Sequence, residues 1–288
     1  MKVDTKIGAY HLHPVETGRF ALDGGAMFGV VPKNLWNKTN PADEQNRITL
    51  AMRCLLLVSD DGKKILIDNG VGHKYNEKFA SMYRIDHSVY TLERSLQKYD
   101  LTPNDITDVI LTHLHFDHAG GSTKMDEQSR IVAAFPNAKY YVQQKHYEWG
   151  EKASEKDRAS FLKPDYEPLV QSGQLQLIEQ TDGIFPNITF FIANGHSPYQ
   201  QLPIIHDAQH TVFFCGDLIP TTTHIAVPYV MAYDNQPLVT IAEKKDILTR
   251  AFENRWILFF EHDPETAMSG VRRDEKGFRM GDIVAVKG

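Results

Sequence analysis

Three histidines and one aspartate lie within six consecutive positions, in the segment THLHFDHAGG at residues 112–121. The 288-residue chain contains 13 histidines, so a chance cluster of this density is not expected in a polar loop. Alternate side chains of a strand share a face, so His113 and His115 can approach one ion from the same side. Asp117 and His118 follow the strand, where the next two glycines permit a turn that directs them elsewhere. Imidazole and carboxylate bind borderline and harder divalent cations, so the segment predicts a metal site.

Three later segments each end an apolar, strand-like run at a residue that can bind a metal. TFFIANGH ends at His196, TVFFCGD ends at Asp217, and ILFFEH ends at His262. One histidine or aspartate at the end of a strand usually serves as a cap or a turn residue. Together with residues 112–121, however, the three ends predict a metal site at a common sheet edge.

The elements that must position these residues form two series. In the first half, strands are predicted at residues 5–14, 18–25, 48–58, 63–70, 106–113 and 138–143, and helices at 89–99 and 144–154. In the second half, strands are predicted at residues 174–180, 188–195, 201–207, 211–217 and 256–263, with a hairpin after His262. No low-complexity linker separates the series, so residues 1–288 are interpreted as one domain of two halves, about 1–160 and 161–288.

A long helix is predicted at residues 237–255, in PLVTIAEKKDILTRAFENR. Its expected buried face carries Leu238, Ile241, Lys245, Leu248 and Phe252. Strands in two groups, each with helices, predict two facing sheets with helices outside them.

Composition excludes some classes of partner. The 31 basic and 37 acidic residues give a net charge of −6 with no run of Lys and Arg, which argues against nucleic acid or an anionic membrane as partner. No apolar stretch is long enough to span a bilayer. Cys54 and Cys215 lie in apolar runs and are predicted to be buried thiols, so the expected location is the cytoplasm.

The histidine segment resembles the His-x-His-x-Asp-His signature of the metallo-β-lactamase superfamily. LIDNG at 66–70, GHSP at 195–198, GDL at 216–218 and EHD at 261–263 follow in the order typical of that superfamily. The resemblance implies an α+β fold, a four-layer αββα sandwich with a binuclear metal site between the sheets.

The resemblance also implies a role for each ligand. One ion would be held by His113, His115 and His196, and the other by Asp117, His118 and His262, with Asp217 as the bridge. Asp68 would orient the ligands without binding metal. The cofactor is expected to be two divalent ions, most readily Zn²⁺, although the N and O ligands also suit iron and manganese. A metal-bridging hydroxide would be the nucleophile, and Asp117 is either a proton shuttle or a plain ligand.

Two loops resemble the branch of quorum-quenching lactonases and methyl-parathion-hydrolase-like proteins. They are residues 23–36 and 213–238, and the sequence departs from that branch in two places. Tyr199-Gln200 replaces the usual Gly-His after Pro198, and Pro220 replaces a tyrosine after the bridging aspartate. The group that assists the oxyanion must therefore be another residue; His224 is the first candidate, with Tyr199 and Tyr233 as alternatives.

An apolar active-site mouth is expected from Met27, Phe28, Trp36, Phe116 and Ile225. For each of these residues taken singly, packing in the core is the favoured explanation. The remaining histidines are interpreted as ordinary surface or structural residues: His11, His13, His73, His87, His146, His206 and His210.

The sequence thus predicts a binuclear, metal-dependent hydrolase that opens lactones or related esters, an enzyme of the esterase class. Phosphotriester hydrolysis at the same site is the alternative. A mononuclear-iron enzyme of the persulfide dioxygenase kind and a non-catalytic binding protein are further alternatives. The expected partner is a small-molecule substrate, with neither nucleic acid nor membrane, and the apolar N-terminal loop leaves a homodimer open.

Overall fold

The computed structural model describes residues 2, 3 and 6–286, and the side chains of residues 6–284. Its class is α+β, as predicted, with helices and two large mixed sheets. None of the helices in these described residues combines the length and hydrophobicity that a membrane crossing needs.

The strands are β1 (Lys2–Val3), β2 (Lys6–Ile7), β3 (Tyr10–Asp23), β4 (Arg47–Ser59), β5 (Lys64–Ile67), β6 (Asp108–Ile110), β7 (Thr123–Met125), β8 (Ile131–Ala133), β9 (Lys139–Gln143), β10 (Leu175–Ile178), β11 (Ile188–Ala193), β12 (Gln200–His206), β13 (Thr211–Phe214), β14 (Ile257–Phe259), β15 (Met268–Asp274), β16 (Gly277–Ile283) and β17 (Ala285–Val286). The α-helices are α1 (Gly24–Phe28), α2 (Lys33–Trp36), α3 (Glu77–Met82), α4 (Leu92–Gln97), α5 (Phe116–Ala119), α6 (Gln144–Glu151), α7 (Glu167–Gln171) and α8 (Pro237–Glu253).

The chain folds into two compact units. The N-terminal unit comprises residues 9–19 and 52–180, and the C-terminal unit comprises residues 1–8, 20–51 and 181–288. The sequence predicted two halves that meet near residue 160. In the structure β10 pairs in parallel with β9, and residues up to Gln180 belong to the N-terminal unit.

Within the N-terminal unit, neighbouring strands follow the order β10-β9-β6-β5, and β5 pairs with the part of β4 that belongs to this unit. β5, β6, β9 and β10 run in parallel, and the Ile-, Leu- and Val-containing sequences of β5 and β6 suit strands buried on both faces. The residues of β5 and β6 that bury their side chains in the core of this unit include Leu66 and Val109. The register pairs Ile67 with Ile110, so the segments that follow these two residues leave the same sheet edge.

The sheet of the C-terminal unit has the strand order β11-β12-β13-β14-β15-β16. β13 and β14 are parallel and the other neighbouring pairs are antiparallel, so β11, β13 and β14 all run in one direction. The predicted C-terminal hairpin is confirmed as β15 and β16. Buried thiols are also confirmed, since Cys54 and Cys215 are both buried and form no disulfide.

The buried face predicted for the long helix α8 is correct at Leu248 but wrong at other positions. Leu238 and Phe252 are 80% and 41% exposed, whereas Lys244 is fully buried. The buried residues of the helix are Thr240, Lys244, Ile247, Leu248 and Ala251. The sequence pattern placed Lys245 on the buried face, but Lys245 is exposed and its neighbour Lys244 is buried instead. A buried lysine is tolerated where its ammonium group finds acceptors.

Lys244 has such acceptors in the loop that precedes α8. Its Nζ donates to the carbonyl oxygens of Ala226, Val227 and Tyr229 at 3.0, 3.3 and 2.6 Å. Burial lowers the pKa of Lys244 to about 7, although Asp234 raises it in part. The lysine therefore ties residues 226–229 to the helix.

This buried lysine makes stability depend on pH. Between pH 7 and 10.5 the unfolded chain binds a proton that the folded chain releases, so the free energy of unfolding rises with pH in this window. The rise from one such group is at most about 1.4 kcal/mol per pH unit. We expect Lys244→Met to remove this contribution, measured by denaturant unfolding at pH 7, 8 and 9. The exposed neighbour variant Lys245→Met is the control, and an unchanged slope in Lys244→Met would contradict the assignment.

Candidate metal centre

The histidine segment follows β6 in the N-terminal unit and ends in the short helix α5. His113 and His118 are fully buried, and His115 and Asp117 are 6% and 7% exposed. The ring of His113 lies 4.4 Å from that of His115 and 4.1 Å from that of His118, between centroids. The structure therefore brings the three predicted histidine ligands of this segment together, with Asp117 beside His118 at 3.8 Å.

Hydrogen bonds fix which nitrogen of two of these rings can bind a metal. Thr112 Oγ1 donates to Asp68 Oδ2 at 2.7 Å, so it accepts the bond from His113 Nδ1 at 2.9 Å. Asp68 Oδ2 also lies 3.1 Å from His118 Nδ1. Both rings then carry their proton on Nδ1 and their lone pair on Nε2, as in metal sites where a carboxylate orients a histidine. Asp68 thus makes the contact expected of an orienting residue.

The C-terminal unit places Asp217 between two histidines. Its Oδ2 lies 3.1 Å from His196 Nε2, and its Oδ1 lies 3.1 Å from His262 Nε2. The opposite nitrogens bond to the protein: His196 Nδ1 to Asp234 Oδ1 at 3.0 Å, and His262 Nδ1 to the Ala51 carbonyl at 2.9 Å. Each oxygen of one carboxylate therefore faces a different imidazole.

The chemistry of this donor set fits a metal. A lone pair on Nε2 and a carboxylate oxygen 3.1 Å away repel each other unless a proton or a metal cation lies between them. Burial lowers the pKa of His196, but the carboxylates of Asp217 and Asp234 raise it by more than burial lowers it. The resulting pKa is about 9. The surroundings of this nitrogen thus favour a positive charge, which a bound divalent cation also supplies.

The direction of the strands explains why these residues meet. β13 and β14 are parallel, with Phe214 paired to Phe259, so Asp217 and His262 follow the carboxyl ends of neighbouring strands. β11 runs the same way, and His196 follows its end. These three predicted ligands therefore follow the same edge of the sheet within their unit.

The backbone that precedes His196 is held by helix α8. Glu243 accepts bonds from the N–H groups of Asn194 at 2.7 Å and Gly195 at 3.1 Å. A Cβ atom at Gly195 would lie 2.4 Å from the Thr240 nitrogen, so only glycine lets the loop approach the helix this closely. Burial raises the pKa of Glu243, while these two N–H bonds lower it.

Sequence reasoning missed the residues outside the motifs that hold the predicted ligands in place. Asp234, Thr112 and Glu243 each bond to a ligand or to the backbone beside one. Thr112 stands directly before the motif and could have been noticed there. Asp234 and Glu243 lie 38 residues or more from His196, and their residue types are too common to signal a role.

The role predicted for His224 is not supported by its surroundings. The residue is 1% exposed, and its Nε2 donates to the Met27 carbonyl at 2.8 Å. Its Nδ1 accepts from Thr221 Oγ1 at 2.8 Å, and its ring stacks on Phe28 at 4.7 Å. Burial lowers the pKa of His224 to about 3, so the ring is neutral. Both nitrogens serve the fold, and donation to a substrate would require one bond to break.

Most of the residues predicted to form an apolar active-site mouth are buried in the hydrophobic core instead. The exposed fractions of Met27, Phe28, Trp36 and Ile225 are 1% or less, and Phe28 stacks on Trp36 at 5.3 Å. These residues pack because the first loop folds into helices α1 and α2, which bury their apolar side chains.

The other predicted pocket residues have different surroundings. Phe116 is 4% exposed and packs on Phe79 and Tyr83 at 5.2 and 4.7 Å. Tyr233 is half-buried, and Tyr199 is exposed with a φ of 60°. These three remain candidates for contact with a substrate.

The chain resembles known proteins over most of its length. Residues 53–259 match the family model described as the metallo-beta-lactamase superfamily. An N-acyl homoserine lactonase of Bacillus cereus is 28% identical over 271 residues, which cover 88% of this chain and 93% of that protein. One from Bacillus thuringiensis is 26% identical over 238 residues, covering 77% of this chain and 85% of that protein.

Two solved structures share this fold over nearly the whole chain. A probable metal-dependent hydrolase from Staphylococcus aureus superposes with a TM-score of 0.87 at 30% identity, covering 98% of this chain and 99% of that chain. AidC, a dizinc quorum-quenching lactonase, gives 0.78 at 21% identity, with 100% and 97% covered. The chain therefore belongs to the metallo-beta-lactamase superfamily, as a hydrolase whose sequence relatives at modest identity are N-acyl homoserine lactonases.

Proposed function

We propose that this protein is a metal-dependent hydrolase that opens lactones or related esters of modest size. The observation that carries the proposal is the position of Asp217, with one carboxylate oxygen 3.1 Å from His196 Nε2 and the other 3.1 Å from His262 Nε2. A carboxylate that faces two imidazole lone pairs in this way suits a bridge between two cations. The names of the lactonase relatives support the choice of substrate.

The proposed ligands are those that the sequence predicted. One ion would be held by His113, His115 and His196, the other by Asp117, His118 and His262, and Asp217 would bridge them. Zn²⁺ is the proposed metal, in keeping with the dizinc lactonase of the same fold. When bound, such ions lower the pKa of a water molecule towards neutrality and polarise the carbonyl oxygen of a substrate.

The residues of the chain would orient the ligands and move the proton. Asp68 and Asp234 hold the histidine rings by their Nδ1 atoms, so the reactive geometry is set before substrate binds. Asp117 is 7% exposed, and we propose that its carboxylate takes the proton of the attacking water and passes it to the leaving oxygen.

The charges near the motif favour a neutral substrate. Lys74 donates to the carbonyl of Gly120, directly after helix α5, but its ammonium group lies 2.7 Å from Asp165 Oδ1. Both side chains are buried, at 2% and 0% exposure, so the positive charge is compensated within the protein. A lactone is neutral and suits such surroundings better than a phosphomonoester or a phosphodiester.

The first test of this proposal is the metal content. We expect close to two equivalents of transition metal per chain, chiefly zinc, in protein purified without chelator, because seven ligand-type side chains suit two ions. Elemental analysis of dialysed protein measures this directly. One tightly held iron with no second ion would favour the mononuclear-iron alternative over the hydrolase.

The second test concerns the bridge. Asp217→Asn keeps the shape of the side chain but removes the charge that offsets the two cations. We expect loss of one metal and a fall in kcat of at least about 10²-fold, equivalent to about 3 kcal/mol of barrier. Asp246→Asn, which removes an exposed carboxylate of helix α8, is the matched control. If Asp217→Asn kept both metals and near-normal turnover, Asp217 would not be the bridge.

The third test concerns the substrate. We expect hydrolysis of γ- or δ-lactones with an apolar substituent, N-acyl homoserine lactones among them, and little cleavage of β-lactams. Proton release at constant pH measures the rates, and the Asp217→Asn variant gives the background. Fully metallated protein that hydrolyses paraoxon-like triesters but no lactone would make phosphotriester hydrolysis the better assignment.

A further inference from the structure

We propose that His146 is a positioning residue for the metal ligands His113 and His115, an inference that rests on the proposed metal-binding function. His146 lies in helix α6 and is fully buried. Its Nε2 accepts a hydrogen bond from the backbone N–H of Leu114 at 2.9 Å. Leu114 is the residue between the two ligands, so this one bond acts on the backbone of both.

The hydrogen bond from Leu114 to His146 lies beyond the end of β6, where the backbone no longer pairs with a neighbouring strand. The N–H of Leu111 still bonds to the Tyr141 carbonyl of β9 at 3.0 Å, whereas three residues later the N–H of Leu114 bonds to a side chain instead. The side chain of Leu114 is buried in the core of the N-terminal unit. Leu114 is therefore held both by its side chain and by its N–H group, which leaves the flanking imidazoles little freedom.

The ring of His146 also packs beside the ligands. It lies edge-on to the ring of His113, with centroids 6.0 Å apart, and 5.6 Å from the ring of Phe161. Phe161 in turn lies edge-on to His115 at 4.8 Å. The N–H of Phe116 bonds to the Ser160 carbonyl at 2.9 Å, so residues 160–161 support the same segment. Helix α6 and this loop together frame the His-x-His segment.

A pair of amide variants separates the hydrogen bond from the packing. In His146→Gln the amide oxygen can reach the position of Nε2 and accept from Leu114. In His146→Asn the shorter side chain places its amide near the position of Nδ1, where it cannot make this bond. His146→Leu removes all acceptors while it fills the space. Ser95→Ala is the control, because it removes a buried side-chain bond, Ser95 Oγ to the Glu16 carbonyl at 2.6 Å, elsewhere in the same unit.

The measurements are Zn²⁺ affinity by competition with a chelator, the visible spectrum of the Co²⁺-loaded full-length protein, and Tm without metal. We expect His146→Asn and His146→Leu to bind Zn²⁺ about 10- to 100-fold more weakly, with an altered Co²⁺ spectrum, as for other residues that orient ligands. With a lactone substrate, kcat should fall more than KM rises. His146→Gln should recover most of the affinity, and Ser95→Ala should change Tm only.

Each result bears on the proposal. Should His146→Leu fail to fold, the comparison of Gln with Asn still decides. Equal Zn²⁺ affinity in all variants would overturn the positioning role but not the proposed function. The same holds if His146→Gln binds Zn²⁺ as weakly as His146→Asn, because packing of the ring rather than its hydrogen-bond acceptor would then matter. A wild-type protein that binds no metal would overturn both this inference and the proposed function.

Discussion

The carboxylate of Asp217 between two imidazoles is the interaction on which the candidate site depends. Its two oxygens each lie 3.1 Å from a histidine Nε2, and both histidines are held at Nδ1 by other protein groups. A buried carboxylate costs several kcal/mol unless positive charge and hydrogen bonds compensate it. The arrangement is therefore stable only with a cation or protons at these nitrogens, and the apolar strands around it must supply the rest of the stability.

In the N-terminal unit, hydrogen bonds likewise compensate a buried carboxylate. Asp68 accepts from the Thr112 N–H, the Thr112 hydroxyl and His118 Nδ1. Asp68 has a φ of 55°, a conformation that few non-glycine residues adopt, directly after β5. Such a conformation persists only where the surroundings over-determine it, as three hydrogen bonds to one carboxylate do here. The strained backbone at Asp68 thus places its carboxylate where it fixes the orientation of His118, a predicted ligand.

Buried polar groups with local partners recur around the site. Lys244 binds three carbonyl oxygens, Glu243 binds two N–H groups, and His146 accepts from one N–H group. Each of these bonds holds a loop rather than a strand, because loops leave N–H and C=O groups that must find other partners when they are buried. The loops that carry or flank the ligands are therefore held in place by side chains from helices α6 and α8.

The sequence by itself indicated the class of fold, the order of the main strands and helices, and which residues could bind a metal. Strand periodicity and the placement of His113, Asp217 and their neighbours at strand ends are local properties, and local properties can be read from short segments. Only the tertiary structure decided which face of α8 is buried, that His224 and Phe28 belong to the core, and which residues orient the ligands. Those outcomes depend on partners far apart in the chain, such as Lys244 with the Tyr229 carbonyl or His262 with the Ala51 carbonyl. The type of a residue limits which groups its side chain can bond to. Tertiary packing decides which of those groups lies within hydrogen-bond distance, about 3 Å.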